Sequence, residues 1–382
     1  MNDGVREFHF PVGYHSFHKS QVFNFQLNRW HSLGYARYED MAEAGLRISS
    51  FDDWRREMVR LADRAVDEGR TVNAAFYYRA AEFYTRADDT DKEPLYDRFS
   101  GLFYAAYGGD PIERVQIPYG RGSLPAIRVS TNAGVTRGTI VMHGGFDSFI
   151  EEFYSWMCYL ARHGYDVVAF EGPGQGAARR KGQLAFDPTW EKPVSAVLDH
   201  FNLMDVTLLG ISMGGWLCFR AAAFEPRIRR VIASGVAYDY MQFAPRFAQW
   251  LFTLFTTRFP GLTARQAHKK MRKDPMHMWT LGQLMYITMQ DDILEALKAA
   301  QWMSAENQHA EKVTQDVLIL TGREDHFIPF KMHRMQVDAL TNAKSITGRV
   351  FTREEQAQNH CQIGNVGLAL TVMADWLEEH NT

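Results

Sequence analysis

Between Thr139 and Ser234 short apolar runs alternate with amphipathic stretches, and this alternation constrains the fold more than any other feature. Thr139–Met142, Asp166–Phe170, Val206–Leu209 and Val231–Ser234 have the length and β-branched content of strands. Glu152–Arg162, Trp190–Phe201 and Gly214–Ala223 carry helical spacing between them. Apolar strands linked by helices imply a mostly parallel sheet with helices on both faces. The expected class is therefore α/β, with a doubly wound, mostly parallel sheet.

The flanks extend this core. Arg114–Pro118 and Leu124–Val129 read as two short strands ahead of it, separated by a Gly-rich turn. Val317–Leu320 and Arg349–Thr352 read as late strands, and Val366–Glu378 as a closing helix. Residues 1–110 are largely helical in pattern. Phe51, Trp54, Met58, Leu61 and Ala65 share one helical face, Ser50 with Asp53 resembles a capping box, and Gly69 is a helix stop. Thr71–Arg86 repeats the pattern. Residues 239–310 are helical again, rich in Phe, Trp and Met, and broken at Pro245, Pro260 and Pro275. The expected layout is a helical N-terminal cap region over 1–110, a catalytic core over 111–238 and 311–382, and a helical lid insertion over 239–310.

Composition narrows the function classes. The chain has 42 Lys and Arg against 45 Asp and Glu, a formal charge of −3. So small a net charge gives no long-range field for nucleic acid or an anionic membrane, and neither is an expected partner. Cys158, Cys218 and Cys361 are widely spaced, which fits free thiols in a reducing compartment rather than a disulfide framework or a zinc site. The first residues lack the basic-then-apolar order of a signal peptide, and no apolar stretch reaches the ~18 residues that span a bilayer. A cytoplasmic protein is expected, with a small-molecule substrate and neither metal nor cofactor. A homodimer through the helical N-terminal region is compatible with this layout.

The most informative segment is Leu208-Leu209-Gly210-Ile211-Ser212-Met213-Gly214-Gly215, a GxSxG directly after a buried strand and directly before an apolar helix. A tight strand-to-helix turn strains the serine, and Gly210 and Gly214 remove side chains that would clash there. A serine hydroxyl needs a base to take its proton, and an acid to orient that base. In the chain order Ser, acid, His, the candidates are Asp325 after strand Val317–Leu320 and His360 before the last helix. Glu324 is the reserve acid, and His143 and His309 are alternative bases. His326 sits on the acid's own loop and is expected to be solvated or structural.

His143-Gly144-Gly145-Phe146-Asp147-Ser148 follows strand Thr139–Met142. Its glycines let backbone N–H groups approach a reacting carbonyl, so Phe146 N–H and Met213 N–H are the expected oxyanion donors. Asp147 would disfavour a developing oxyanion unless protonated or turned away, yet could bind a substrate hydroxyl or carry a proton as an auxiliary acid. Glu171–Gly176 follows another strand end but lacks P-loop and GxGxxG spacing, so a tight turn beside the site is expected.

These residues resemble the α/β-hydrolase superfamily, and within it the branch with a helical N-terminal domain that includes FrsA-like esterases and 2,6-dihydropseudooxynicotine hydrolase. The matching pieces are His143–Ser148, Glu171–Gly176, Glu191–Val194, Gly210–Gly215, Arg323–Pro329 and His360–Asn365, spread over about 139–370. The resemblance implies a Ser212–Asp325–His360 triad under a helical lid. In the carbon–carbon hydrolase of that branch an acidic residue after the oxyanion segment assists catalysis, and Asp147 holds that place here, one methylene shorter.

The leading expectation is a serine hydrolase acting on an ester, amide or thioester of a small to medium, partly apolar substrate. Seven of the 17 methionines fall in 239–310, and adaptable thioethers suit a lid over such a substrate. Three alternatives stand beside it: C–C hydrolysis of a ketone or 1,3-diketone with Asp147 assisting, peptidase activity, and a non-catalytic binding or assembly protein on the same scaffold.

Overall fold

The computed structural model describes residues 4–380. Five helices open the chain: α1 (Gln21–Ser32), α2 (Tyr38–Arg47), α3 (Phe51–Asp67), α4 (Thr71–Tyr84) and α5 (Lys92–Ala106). Ser50 Oγ accepts the Asp53 N–H at 3.1 Å, but the Asp53 carboxylate returns to Ser49 N rather than to the cap residue itself. The expected box is thus offset by one residue.

An eight-stranded sheet follows, ordered β1-β2-β4-β3-β5-β6-β7-β8. Its members are β1 (Ile112–Tyr119), β2 (Gly122–Val129), β3 (Thr139–His143), β4 (Asp166–Phe170), β5 (Val206–Ile211), β6 (Ile228–Ser234), β7 (Asp316–Gly322) and β8 (Ser345–Phe351). β1 and β2 run antiparallel, and every pairing from β4 to β8 is parallel. Core helices α6 (Tyr154–Arg162), α7 (Gly176–Arg180), α8 (Glu191–His200) and α9 (Gly214–Ala222) lie between strands. After β6 come α10 (Arg246–Arg258), α11 (Pro260–Lys273), α12 (Pro275–Thr288), α13 (Ile293–Trp302) and α14 (Ala305–Gln308). α15 (Lys331–Ala339) precedes β8, and α16 (Val366–Glu379) closes the chain.

Three local expectations are corrected. The helix expected from Glu152 begins as a 3-10 turn over Ile150–Phe153, where the Glu152 carboxylate accepts the Phe149 N–H at 3.0 Å. The last strand begins at Ser345 rather than Arg349, because its early residues are exposed and lack an apolar signature. α15 was not expected; its exposed Lys331 and Arg334 conceal the apolar side carried by Met332.

Strand periodicity divides the interior into two cores. Ile140, Met142, Val167, Ala169, Leu209 and Ile232 face one side, where with Trp156 of α6 they join the aromatic interior of the N-terminal helices, Trp30, Trp54 and Phe76. Val141, Val168, Phe170, Leu208, Val231 and Ala233 face the other, against α8, α9 and the insertion residues Leu284, Ile287 and Ala296. The N-terminal helices therefore share one apolar core with a sheet face. At ~25 cal/mol per Å² of buried apolar surface, such sharing ties the helices to the sheet strongly. Among the described residues no helix is long and apolar enough to cross a membrane.

Candidate active site

β5 buries all six of its residues and delivers Ser212 to the carboxyl end of the sheet. Ser212 takes φ +62°, a left-handed conformation that costs a non-glycine residue energy and persists only when neighbours enforce it. Enforcement is visible. Ser212 N–H donates to Ser234 O on β6 at 2.8 Å, and a Cβ on Gly210 would lie 2.0 Å from Gly214 O. Only glycine at 210 lets the turn close that tightly.

Ser212 Oγ lies 2.8 Å from His360 Nε2, and His360 Nδ1 lies 2.7 Å from Asp325 Oδ2. Asp325 Oδ1 accepts two further N–H groups, from Phe327 at 2.8 Å and Ile328 at 2.9 Å. Burial opposes ionisation of Asp325, but His360 and these donors outweigh it and hold its pKa below the usual carboxylate range. Burial likewise opposes the charged form of His360, yet the Asp325 carboxylate raises its pKa well above the usual imidazole value. The His360 loop is pinned from behind. Cys361 and Gln362 both take positive φ, and Gln362 Oε1 accepts from Ser234 Oγ at 3.0 Å.

The other candidates are elsewhere. Glu324 is exposed and paired with Arg353. His309 is at the surface beside Glu311. His143 is fully buried behind Gly214, and burial pushes its pKa down to about 4, so it stays neutral. His326 is not solvated: both ring nitrogens are buried without a hydrogen-bond partner, with the ring against Phe25 and Phe327.

The loop after β3 meets the serine turn. A Cβ on Gly145 would stand 2.8 Å from Met213 N, so that residue too must be glycine. Neither Met213 N–H nor Phe146 N–H donates to a protein acceptor among the described residues. The loop's carbonyls are occupied from outside. Gln175 Nε2 donates to Gly144 O at 2.8 Å and Gly145 O at 3.0 Å, and the Arg79 guanidinium donates to Asp147 O. Gln175 lies in the glycine-rich turn expected beside the site, between β4 and α7.

Charged residues from the N-terminal helices complete the wall. Arg29 on α1 stands 3.8 Å from Asp147 and 2.5 Å from Glu152. Arg79 on α4 bridges Glu152 at 2.7 Å and Glu82 at 2.5 Å. Burial raises the Asp147 pKa above the usual carboxylate value, against the pull of Arg29 and Arg79. Sequence reasoning missed Arg29, Arg79, Glu152 and Gln175. Among the described residues no cluster of His, Cys, Asp and Glu is arranged to hold a metal ion.

The sheet and its strand-end serine turn have the arrangement of the α/β-hydrolase fold. The chain belongs to the hydrolase family described as serine aminopeptidase, S33, which matches residues 134–350, more than half of its length. It is 29% identical over 261 residues to hydrolase acrC of Aspergillus aculeatus, covering 59% of this chain and 58% of that one. It is 33% identical over 265 residues to hydrolase LUC6 of Fusarium sp, covering 57% and 61%. The matches thus span about three-fifths of those two relatives. It is 26% identical over 323 residues to 20-hydroxy-prefusarin hydrolase FUS2 of Gibberella moniliformis, covering 77% and 74%. Among solved structures, 2,6-dihydroxy-pseudo-oxynicotine hydrolase shares the fold with a TM-score of 0.66 at 23% identity, covering 92% of this chain and 94% of that one. AbyA5 shares it with a TM-score of 0.67 at 20% identity, covering 90% of each.

Proposed function

We propose that the protein is a serine hydrolase that cleaves an ester, thioester or amide of a small to medium, partly apolar substrate through an acyl-enzyme. The observation that carries this reading is the continuous hydrogen-bonded line from Ser212 Oγ through His360 to Asp325, at 2.8 and 2.7 Å. His360 takes the Ser212 proton as Oγ attacks the carbonyl carbon, and Asp325 stabilises the imidazolium that forms. The tetrahedral oxyanion receives the unclaimed N–H groups of Met213 and Phe146, each worth about 2.7–4 kcal/mol in such sites. His360 then gives its proton to the leaving group. In the second half-reaction His360 activates water, which releases the acid product and regenerates Ser212.

The helices of 239–310 serve as a lid in this reading. Trp279 of α12 supports that role: its ring stacks on Phe83 at 5.0 Å and lies 6.3 Å from Phe146. The three unpaired, buried cysteines support a reducing, cytoplasmic setting. Aminopeptidase action, which the family's description suggests, would need an acidic anchor for a substrate ammonium. The carboxylate nearest the oxyanion loop, Asp147, already faces Arg29, and a second cation there would be repelled.

A second reading is C–C hydrolysis of a ketone or 1,3-diketone. The place of Asp147 beside the oxyanion loop favours it, and burial, which raises its pKa, eases the protonation its carboxyl would need before donating to a carbanion-like leaving group. A panel of esters, thioesters, amides and 1,3-diketones, with Ser212→Ala as blank, tests both. Turnover of the carboxylic esters that vanishes in Ser212→Ala supports the first reading. Turnover of diketones alone selects the second, and turnover of nothing in the panel opposes both.

A further inference from the structure

The first two helices of the insertion expose a surface unlike the rest of the molecule. α10 and α11 bury none of their residues. Phe247, Trp250 and Phe259 are 70%, 58% and 52% exposed, and the Phe247 and Trp250 rings stack at 6.0 Å. At roughly 100° per residue, Phe247, Trp250, Leu254 and Arg258 share one face of α10. Leu262, Arg265, Lys269 and Arg272 share one face of α11 by the same spacing. The two helices touch, joined at Phe259–Pro260.

The charge of this segment is one-sided. Tyr240–Lys273 contains seven Lys and Arg and no Asp or Glu. Among the described residues none of the seven forms an ion pair, whereas Arg60, Arg64 and Arg70 of the N-terminal helices each hold carboxylates. With a total of −3, the rest of the chain carries −10. The near-neutral total that argued against an anionic membrane therefore conceals a segregated distribution.

We propose that the α10–α11 surface docks on an anionic lipid bilayer, with Phe247, Trp250 and Phe259 in the headgroup–acyl boundary and the cations against lipid phosphates. Exposed aromatics beside unpaired Lys and Arg on short helices are what interfacial binding requires. Charge complementarity selects this occupant over a second copy of the chain. A two-fold contact sets the same patch against itself, and here it would bring two cationic patches together. The acidic remainder would be repelled from the same bilayer, so the molecule would dock in one orientation, with the insertion toward the lipid.

Co-sedimentation of the full chain with phosphatidylcholine vesicles, with and without phosphatidylglycerol, tests this. Binding is expected to the phosphatidylglycerol vesicles and to be about ten-fold weaker without the anionic lipid or at high salt. Phe247→Ser/Trp250→Ser and Lys269→Glu/Arg272→Glu should each weaken it by about ten-fold, with the thermal unfolding midpoint of the full chain unchanged, since these side chains are exposed. Absence of vesicle binding by the wild type overturns the proposal, as does binding that both double variants retain. So does a self-association that Phe247→Ser/Trp250→Ser abolishes, or binding to nucleic acid or acidic protein, when vesicle binding is absent.

Discussion

Gln175 Nε2 holds the carbonyl oxygens of Gly144 and Gly145 together, at 2.8 and 3.0 Å. In a trans peptide the carbonyl and the following N–H point in opposite directions. Fixing Gly145 O toward Gln175 therefore turns Phe146 N–H away from it. Gln175 acts through the loop, so it is a positioning residue in the proposed mechanism. Gln175→Ala should lower kcat by about ten- to a hundred-fold with little change in KM, somewhat less than loss of an oxyanion donor itself. Gln175→Glu, which cannot donate, should do the same. Steady-state kinetics on an ester substrate check both, and an effect confined to KM would contradict the assignment.

Asp147 separates the two chemical readings. Its side chain faces Arg29 at 3.8 Å and accepts nothing from Ser212 or His360. For ester cleavage, Asp147→Ala should change kcat/KM by no more than about three-fold, because no proton passes through it. If the reaction is C–C hydrolysis, the same variant should lose about a hundred-fold or more on a 1,3-diketone. Parallel assays of the two substrates distinguish these outcomes.

The charge network behind the loop is structural. Arg79, with its side chain only 1% exposed, bridges Glu82 and Glu152 at once. Arg79→Met would take one partner from Glu152, which keeps Arg29, and one from Glu82, which keeps Lys92 and Arg180, so the loss should stay below the about 3–5 kcal/mol of a buried charge stripped of all partners. Urea unfolding should register that loss. A variant of wild-type stability would show that water or rearranged arginines satisfy these groups.

Raising the His360 pKa has a kinetic sign. A protonated imidazole cannot accept the Ser212 proton, so kcat/KM falls as pH drops through the His360 pKa. That acid limb should lie above the ordinary imidazole value near 6.5, because Asp325 stabilises the charged form against burial. Asp325→Asn should move the limb to lower pH and reduce kcat by about 10⁴-fold. A pH profile of kcat/KM for both proteins checks direction and size.

Legibility followed the range of each interaction. Alternating strands and helices, and the glycines around Ser212, are encoded within a few residues, so the sheet and the serine turn were readable. The order of Ser212, Asp325 and His360 is readable because Ser212 and Asp325 closely follow β5 and β7, and His360 lies in the loop between β8 and α16. Arg29, Glu152, Arg79 and Gln175 are not, since the contacts that tie them to one another and to the Gly144–Gly145 loop span 30 to 123 residues and local sequence carries no trace of them. α1 eluded periodicity for another reason. It buries Asn24, Gln26 and Asn28 beside its aromatics, and Asn28 is accommodated by bonds to the His15 and Asn24 carbonyls. Net charge says nothing of how charge is distributed, because it averages over the whole chain.

The central claim is that Ser212 is a nucleophile activated by His360. Intact-mass measurement after exposure to a fluorophosphonate tests it without knowledge of the natural substrate. The account predicts one adduct per chain in the wild type, none in Ser212→Ala, and markedly slowed labelling in His360→Ala. An unlabelled wild type, or a Ser212→Ala variant labelled as fast as the wild type, would contradict it.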